Sequence, residues 1–246
     1  MTASLFFVPA EKLAGDTVLL EGAGLRHLRA ARLQPGQKLD LFDESGARAR
    51  AEVESISSTG ARLRILERTR LGEMRLRLTL AQSILKSKAM DEVVERAAEW
   101  GVSALAAVIS EHTVVKLDER GERKVERWLQ VARAAAEQCK SGRIPDIAAP
   151  RPLAALLADP PPGRRVLLSE HGGRLLKDIL AEAPAPEPGR PEEWVLLLGP
   201  EGGWAEREVE AAAAAGFEPA SLGPQILRAG TAAVSAAAIL LHQRGA

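Results

Sequence analysis

The sequence has no tyrosine, only four phenylalanines and four tryptophans, and a single cysteine, Cys139. With so few aromatic rings, a surface that binds its partner mainly by stacking is disfavoured. One cysteine cannot form a disulfide within the chain, and neither it nor the scattered histidines have neighbours at the spacing of metal ligands. We therefore expect a reduced, cytoplasmic protein without a metal site.

Long apolar runs are also missing, and no segment approaches the length of a membrane-spanning helix. The first nine residues carry no basic leader and only a short apolar core, so no signal peptide and no membrane association are expected. Lys and Arg balance Asp and Glu at 33 each, which excludes a protein that is basic over its whole surface. Residues 1–77 nevertheless carry 13 Lys and Arg against 10 Asp and Glu. If a nucleic acid is the partner, its phosphates are expected there.

The most informative stretch is the last fifty residues, where two turns rich in glycine and proline each follow an apolar run. Run 194–198 ends in the turn 199–203, Gly-Pro-Glu-Gly-Gly, and run 220–222 ends in the turn 223–228, Gly-Pro-Gln-Ile-Leu-Arg. A short apolar run ended by glycine and proline indicates a strand buried on both faces, as in a parallel sheet. Ligands bind beyond the carboxyl ends of such strands, so the two turns could line one pocket.

The rest of the chain falls into two patterns. The first seventy residues show short alternating strands separated by turns, which indicates a small β-rich domain. From residue 75 onward strands and helices alternate, which indicates α/β architecture. Strands are predicted over 76–84, 104–109, 166–169 and 194–198, and helices over 88–100, 122–139 and 172–183.

A short basic helix is predicted inside the β-rich domain. Its leucines fall at helical spacing, while Arg26, His27, Arg29 and Arg32 fall on the other side. Clustered arginines either form a solvated face or contact phosphates with their charge and forked donors. The residues alone leave both readings open.

Two motifs near the C-terminus resemble the paired signature of the RsmE family. They are 198–203, Leu-Gly-Pro-Glu-Gly-Gly, and 222–228, Leu-Gly-Pro-Gln-Ile-Leu-Arg, the second followed by Thr231 and Ala232. RsmE proteins are 16S ribosomal RNA methyltransferases of the SPOUT superfamily, which transfer a methyl group from S-adenosylmethionine to N3 of a uridine. The stretches 99–102, Glu-Trp-Gly-Val, and 137–139, Glu-Gln-Cys, extend the likeness through the middle of the chain.

The resemblance implies a fold that no periodicity could reveal. It implies an α/β protein with a small N-terminal PUA-like β-barrel domain that binds RNA, residues 1–72, and a SPOUT methyltransferase domain, residues 73–246. The second domain would contain a trefoil knot, a rare topology, with the knot and the cofactor site within about residues 166–246. The resemblance also implies a homodimer that acts on 16S rRNA or the small ribosomal subunit.

The resemblance further implies roles for individual residues. S-adenosyl-L-methionine would be bound by Ser169, Glu170, Leu198, Gly199, Pro200, Gly202, Gly203, Leu222, Gly223, Pro224, Ile226, Leu227, Thr231 and Ala232. RNA would be bound by Arg26, His27, Arg29, Arg32, Lys86, Lys88 and Arg143. Arg228 is expected to stabilise the uridine as its N3 proton is lost, and Glu201 is the second catalytic candidate. The alternative is that Arg228 simply pairs with Glu201.

Four positions depart from the family pattern. Basic residues are usual where Leu5, His112 and Ser141 stand, and an acid is usual at Gly230. The glycine leaves no obvious acceptor for the uridine proton. Two other functions fit the same residues: another SPOUT RNA methyltransferase, for example one that methylates a tRNA ribose at the 2′-oxygen, and a non-catalytic RNA-binding protein.

Overall fold

The computed structural model of the chain describes residues 4–114, 121–170 and 172–245. The chain divides into two compact units. The first comprises Met1–Gly72 with Arg133–Ile144, and the second comprises Glu73–Ala132 with Pro145–Ala246. Each unit has a sheet and an apolar core of its own.

The first unit is built on a five-stranded sheet. Its elements are β1 Leu5–Phe7, α1 Ala10–Leu13, β2 Thr17–Leu20, α2 Gly22–Ala30, β3 Lys38–Phe42, β4 Ala47–Ile56 and β5 Ala61–Arg70. The strand order is β1-β3-β4-β5-β2, with β1 and β3 parallel and the other pairs antiparallel. Alternate strand residues point inward, so Leu39 and Leu41 are buried together with Val53 and with Leu28 of α2. The β-rich pattern of the sequence thus corresponds to a real sheet.

The second unit is built on a seven-stranded sheet in which every pair is parallel. Its elements are β6 Leu76–Ser83, α3 Ser87–Trp100, β7 Ala104–Ile109, α4 Gly121–Cys139, β8 Asp146–Pro152, α5 Leu153–Ala158, β9 Arg164–Leu168, β10 Arg174–Leu175, α6 Leu176–Glu182, β11 Glu192–Leu198, α7 Glu206–Ala214, β12 Glu218–Ser221 and α8 Ala229–Arg244. The strand order is β10-β12-β9-β11-β6-β7-β8. The last residues of α4 belong to the first unit.

Burial follows the sequence pattern in this sheet. Residues 194–198 of β11 are all buried, as expected for a central parallel strand with both faces covered. On α3 the buried residues Met90, Val93, Val94 and Ala97 recur at helical spacing and form its apolar face. Gly101 follows this helix with a φ of +80°, a left-handed conformation that glycine adopts without strain.

Residues Arg133–Ile144 were expected in the second domain, but they pack in the first unit. Ala136 and Ile144 join an apolar cluster with Leu5, Phe7 and Phe42. The amide of Phe7 also donates to the Glu137 carboxylate at 2.7 Å. A helix segment that buries apolar residues against β1 belongs to that unit, whatever its position in the sequence. Leu5, where a basic residue is usual, is a core residue here.

The observed elements differ from the predicted ones in several places, among them α6 and β8. The helix expected over 172–183 is confined to α6, because Gly172 and Gly173 have φ values of +106° and +132°, outside the helical region. Strand β8 was not predicted at all, since it contains Pro150 and Pro152. Proline is tolerated there because β8 lies at the edge of the sheet.

The last helix, α8, is joined to the sheet by a largely buried ion pair. Arg244 Nη2 lies 2.8 Å from Glu192 Oε1, and their side chains are only 14% and 10% exposed. The same carboxylate oxygen accepts a hydrogen bond from Trp194 Nε1 at 2.8 Å, and Arg244 also donates to the carbonyl oxygen of Pro184 at 2.7 Å. This network links the end of α8 to the start of β11.

The substitution Arg244→Met is expected to destabilise the protein by about 3 kcal/mol, because it leaves the Glu192 charge buried without its partner. Urea unfolding followed by circular dichroism measures this change. Arg190→Met is the matched control, since Arg190 pairs with Glu187 at 3.3 Å while both side chains are more than three-quarters exposed, and its loss should cost less than about 1 kcal/mol. Equal effects of the two substitutions would contradict the role given to Arg244.

Candidate functional site

A cavity of about 920 Å³ lies at the carboxyl ends of β9, β11 and β12 in the second unit. Neighbouring parallel strands end at the same edge of a sheet, so the turns after β11 and β12 meet there. Residues at the N-terminal ends of α3 and α8 complete the wall. The two turns singled out in the sequence therefore line one pocket.

The turn after β11, residues 199–203, is held in a conformation that requires glycine. Gly203 has a φ of +72°, and a Cβ atom added there would collide with Oε1 of Glu170. Glu201 in the same turn accepts a hydrogen bond from the Lys86 backbone N–H at 3.0 Å. The turn is thus fixed by its own backbone and by the start of α3.

Buried side chains hold the first residue of this turn. Gln82 is fully buried at the end of β6, and its Nε2 donates to the carbonyl oxygens of Gly199 at 3.0 Å and Ser83 at 2.9 Å. Trp204 Nε1 donates to the carbonyl oxygen of Leu168 at 3.0 Å, and a Cβ atom at Gly199 would lie 3.2 Å from the Trp204 ring. Sequence reasoning missed Gln82, because a single glutamine within an apolar strand matches no motif.

The segment after β7 contacts the same turn. His112 Nδ1 lies 3.1 Å from the carbonyl oxygen of Gly203, and a Cβ atom at Gly202 would lie 3.0 Å from the His112 Cβ. The backbone N–H of Glu111 donates to Glu208 Oε1 of α7 at 2.8 Å. His112, which stands where arginine is commoner, therefore supports the turn through its ring and its close packing.

The turn after β12 is stabilised by a short local hydrogen-bond pair. The Ser221 hydroxyl donates to the carbonyl oxygen of Gly223 at 3.0 Å and accepts from the Gly223 N–H at 3.2 Å. Gly223 has a φ of +134°, which other residues rarely adopt. Later in the same turn the side chains are exposed to solvent, and Ile226 is 81% exposed.

Arg228 is the N-cap residue of α8 and lines the cavity. Within the part of the chain that the structure describes, its guanidinium makes no hydrogen bond and no ion pair. The alternative in which Arg228 pairs with Glu201 is therefore not realised, since the Glu201 carboxylate instead accepts the Lys86 amide. A cation next to the cavity without a protein partner can interact with a ligand.

Sequence models of two known families match the chain. The RNA methyltransferase domain matches residues 72–241, and the RNA methyltransferase PUA domain matches residues 20–66. Ribosomal RNA small subunit methyltransferase E (RsmE) of Synechocystis sp. is 34% identical over 92% of this chain and 73% of its own length. The chain belongs to the RsmE family. The family member from Mycobacterium bovis is 32% identical over 96% of this chain and 90% of its own.

Solved structures agree with this RsmE assignment. RsmE from Neisseria gonorrhoeae, solved bound to S-adenosyl methionine, superposes with a TM-score of 0.84 and 29% identity over 98% of this chain and 97% of its own. A protein from Legionella pneumophila, solved with bound SAM, superposes with a TM-score of 0.86 and 28% identity over 98% of each chain. The family resemblance inferred from the two motifs is confirmed.

Most of the cofactor-binding residues expected for an RsmE protein line the cavity. They are Ser169, Glu170, Leu198, Gly199, Pro200, Gly203, Leu222, Gly223, Pro224, Ile226, Leu227 and Ala232. Glu201, Arg228, Lys86 and Lys88 line it as well. Gly202 and Thr231 are not among the described lining residues, because Gly202 packs against His112 and Thr231 is exposed in the first turn of α8.

In the first unit of this RsmE protein, several of the expected RNA-binding residues have internal partners, among them His27 and Arg29. His27 Nδ1 lies 3.2 Å from Glu137 Oε2, and the His27 ring stacks at 4.3 Å on Phe6. Arg29 Nη2 donates to the carbonyl oxygens of Ser57 at 2.8 Å and Ser58 at 3.1 Å, which holds α2 on the β4–β5 turn. Both side chains therefore contribute to the fold of the unit.

The other basic residues of that unit are more available. Arg26 and Arg32 are exposed, and within the described residues neither side chain makes a hydrogen bond or an ion pair. Arg143 donates to the carbonyl oxygen of Gly72. At Ser141, where a basic residue is usual, the backbone carbonyl accepts from Arg48 Nη2 at 2.5 Å. Arg48 is thus a basic side chain fixed beside the position of the missing one.

The described residues contain neither a cluster suited to a metal ion nor a helix suited to a membrane. No group of three or more His, Cys, Asp or Glu side chains in 4–114, 121–170 and 172–245 could hold a metal ion. Across the same ranges no helix has the length and apolar character needed to cross a membrane.

The substitution Gln82→Met is expected to lower the free energy of unfolding by about 1–3 kcal/mol, because the buried Gly199 and Ser83 carbonyl groups lose their donor. Chemical denaturation measures the loss. Gln243→Met is the matched control in the same unit, since Gln243 is exposed on α8 and should tolerate the change. If Gln82→Met were as stable as the control, Gln82 would not hold the turn.

Proposed function

We propose that this chain transfers a methyl group from S-adenosylmethionine to N3 of a uridine in small-subunit ribosomal RNA. The observation that carries the proposal is the 920 Å³ cavity, whose walls are the two turns of the RsmE signature. The relative from Neisseria gonorrhoeae, which is bound to S-adenosyl methionine, has the same fold over nearly the whole chain. Relatives at 34% and 32% identity are named as small-subunit ribosomal RNA methyltransferases.

The residues of the cavity fit S-adenosylmethionine. Gly199, Gly203 and Gly223 carry no side chain, so a ligand can approach the backbone of both turns closely. Leu198, Leu222, Ile226 and Leu227 offer apolar contacts. Ser169, Glu170, Pro200, Pro224 and Ala232 would also contact the cofactor. Gly202 and Thr231 would contribute only through the turn and the helix that carry them. The bound cofactor would supply a methyl group on a positively charged sulfur.

Arg228 would stabilise the negative charge that develops on the uracil ring as N3 loses its proton. Its guanidinium has no protein partner among the described residues, so it is free to bind the carbonyl oxygens of the base. Glu201 would act indirectly: through its hydrogen bond to the Lys86 amide it fixes the first turn against α3. The site would also hold the methyl group of the cofactor in line with N3 of the uridine, and this positioning would supply most of the remaining rate enhancement.

RNA recognition would rest on phosphate contacts, because aromatic side chains are few. We propose Arg26 and Arg32 as the principal contacts of residues 1–72, the RNA-binding domain. His27, Arg29 and Arg143 would contribute charge from the positions in which their internal contacts hold them. Lys86 and Lys88, at the rim of the cavity, would bind phosphates next to the target uridine.

We also propose three features that the resemblance implies. A trefoil knot would lie within about residues 166–246. The first unit would close as a PUA-like barrel. The protein would act as a homodimer in the cytoplasm, and the exposed apolar side chains Ile226 and Leu227 are candidates for the subunit contact.

The test is methylation of small ribosomal subunits that lack the modification, followed by mass spectrometry of the nucleosides. We expect 3-methyluridine, and we expect Arg228→Ala to reduce the single-turnover rate by about 10²- to 10³-fold, the usual effect of removing a group that stabilises developing negative charge. Arg190→Ala, at an exposed position outside the cavity, should keep the parental rate.

A ribose-methylated nucleoside would contradict the proposed N3 chemistry and favour a different SPOUT methyltransferase. Binding of the subunit without any methylation would favour a non-catalytic RNA-binding protein. Full turnover by Arg228→Ala would remove that residue from the mechanism.

A further inference from the structure

Methylation of a uridine at N3 requires a group that accepts the N3 proton, because the protonated nitrogen is a poor nucleophile. The inference below rests on the proposed function. Among the described residues that line the cavity, the ionisable side chains are Lys86, Lys88, Glu92, Glu170, Glu201 and Arg228. Lysine and arginine are protonated at neutral pH and cannot accept a proton. Among the described residues of the cavity, three carboxylates remain as candidates for the acceptor.

Two of the three carboxylates lie against the turn 199–203. Glu201 Oε1 accepts the backbone N–H of Lys86 at 3.0 Å. Glu170 Oε1 lies so close to Gly203 that a Cβ atom there would collide with it. Glu170 and Glu201 therefore lie beside the turn that we propose binds the cofactor.

Glu92 lies on a different wall of the cavity, on α3. Its closest charged partner among the described residues is Lys88, at 3.9 Å and one helical turn away, and the Glu92 side chain is 60% exposed. The neighbouring Asp91 is paired with Arg127, from which it accepts hydrogen bonds at 2.5 and 3.0 Å. That interaction raises the pKa of Arg127.

The start of α8 packs against Val93, the residue after Glu92, and against Leu85. A Cβ atom at Gly230 would lie 3.5 Å from Val93 Cγ2 and 3.8 Å from Leu85 Cδ1, which is ordinary contact distance. Glu92 and Arg228 thus come from two helices in contact, and both line the same cavity. A uracil bound at this end of the cavity would lie beside a wall that contains the Glu92 carboxylate and the Arg228 guanidinium.

We propose that Glu92 is the general base that accepts the N3 proton. As the N3 lone pair forms the bond to the methyl carbon, the electrons of the carbon–sulfur bond return to sulfur, and the N3 proton moves to the Glu92 carboxylate. The products are 3-methyluridine, S-adenosylhomocysteine and protonated Glu92. The exposed side chain then returns its proton to solvent.

Charged groups surround Glu92 on both helices. Lys88 and Arg96 on the same helix and Arg228 on α8 are the cations. The anions are Glu95 on α3 and, among the residues that line the cavity, Glu170 and Glu201. Arg228 would also stabilise the uracil anion while the proton is transferred.

The test is the variant Glu92→Gln in the full chain, assayed by single-turnover formation of 3-methyluridine across a range of pH. We expect the rate at neutral pH to fall by about 10²- to 10⁴-fold, the contribution of a general base. The deficit should shrink as the pH rises, because hydroxide then removes the N3 proton. Affinities for S-adenosylmethionine and for the small subunit, measured by calorimetry and filter binding, should not change.

Glu95→Gln is the matched control, since Glu95 lies on the same helix but is not among the described residues that line the cavity, and it should leave the rate unchanged. A parental rate for Glu92→Gln, an equal deficit at every pH, or a loss of cofactor affinity that explains the deficit would each overturn the inference. If the parent chain forms no 3-methyluridine, the proposed function fails and this inference fails with it. If only the variant results disagree, the inference alone fails.

Discussion

The parallel register of β11 with its two neighbours is the constraint on which the site depends. Leu198, the last residue of β11, pairs with Gln82 of β6 on one side and with Leu168 of β9 on the other. All three strands therefore end at the same edge of the sheet, where Gly199, Ser83 and Ser169 follow the three paired residues. Gln82 and Trp204 then fix Gly199 from inside the sheet. A slip of one residue would turn Gln82 to the opposite face and remove the donor that holds the turn.

The sequence was sufficient for the parts of the site that depend on backbone conformation. Gly203 and Gly223 adopt φ values that other residues avoid, so the glycines and prolines of the sequence mark both turns. The sequence alone does not predict contacts between segments that are far apart in the chain. Gln82 and Glu92 match no motif, and His112 stands out only as a departure from the family pattern. The strand order brings Gln82 to the turn after β11, and α3 brings Glu92 to the cavity. Residues 133–144 lie in the first unit, although the methyltransferase family model spans them.

The basic helix α2 shows how a charge pattern can serve two purposes. His27 and Arg29 lie on its cationic face, yet their contacts to Glu137 and to the β4–β5 turn stabilise the first unit. Arg26 on the same helix and Arg32, two residues beyond its end, have no such partners among the described residues. A count of basic residues therefore overstates the surface available for phosphates.

The most direct test of the central claim is calorimetric titration with S-adenosylmethionine of the parent chain and of Gly203→Val. Gly189→Val is the control, because Gly189 has a similar φ of +80° but open space around it. The account predicts that the parent and the control bind the cofactor and that folded Gly203→Val does not, since its side chain would displace the Glu170 carboxylate that lines the cavity. Undiminished binding by Gly203→Val, or no binding by the folded parent chain, would contradict a cofactor site between the two turns.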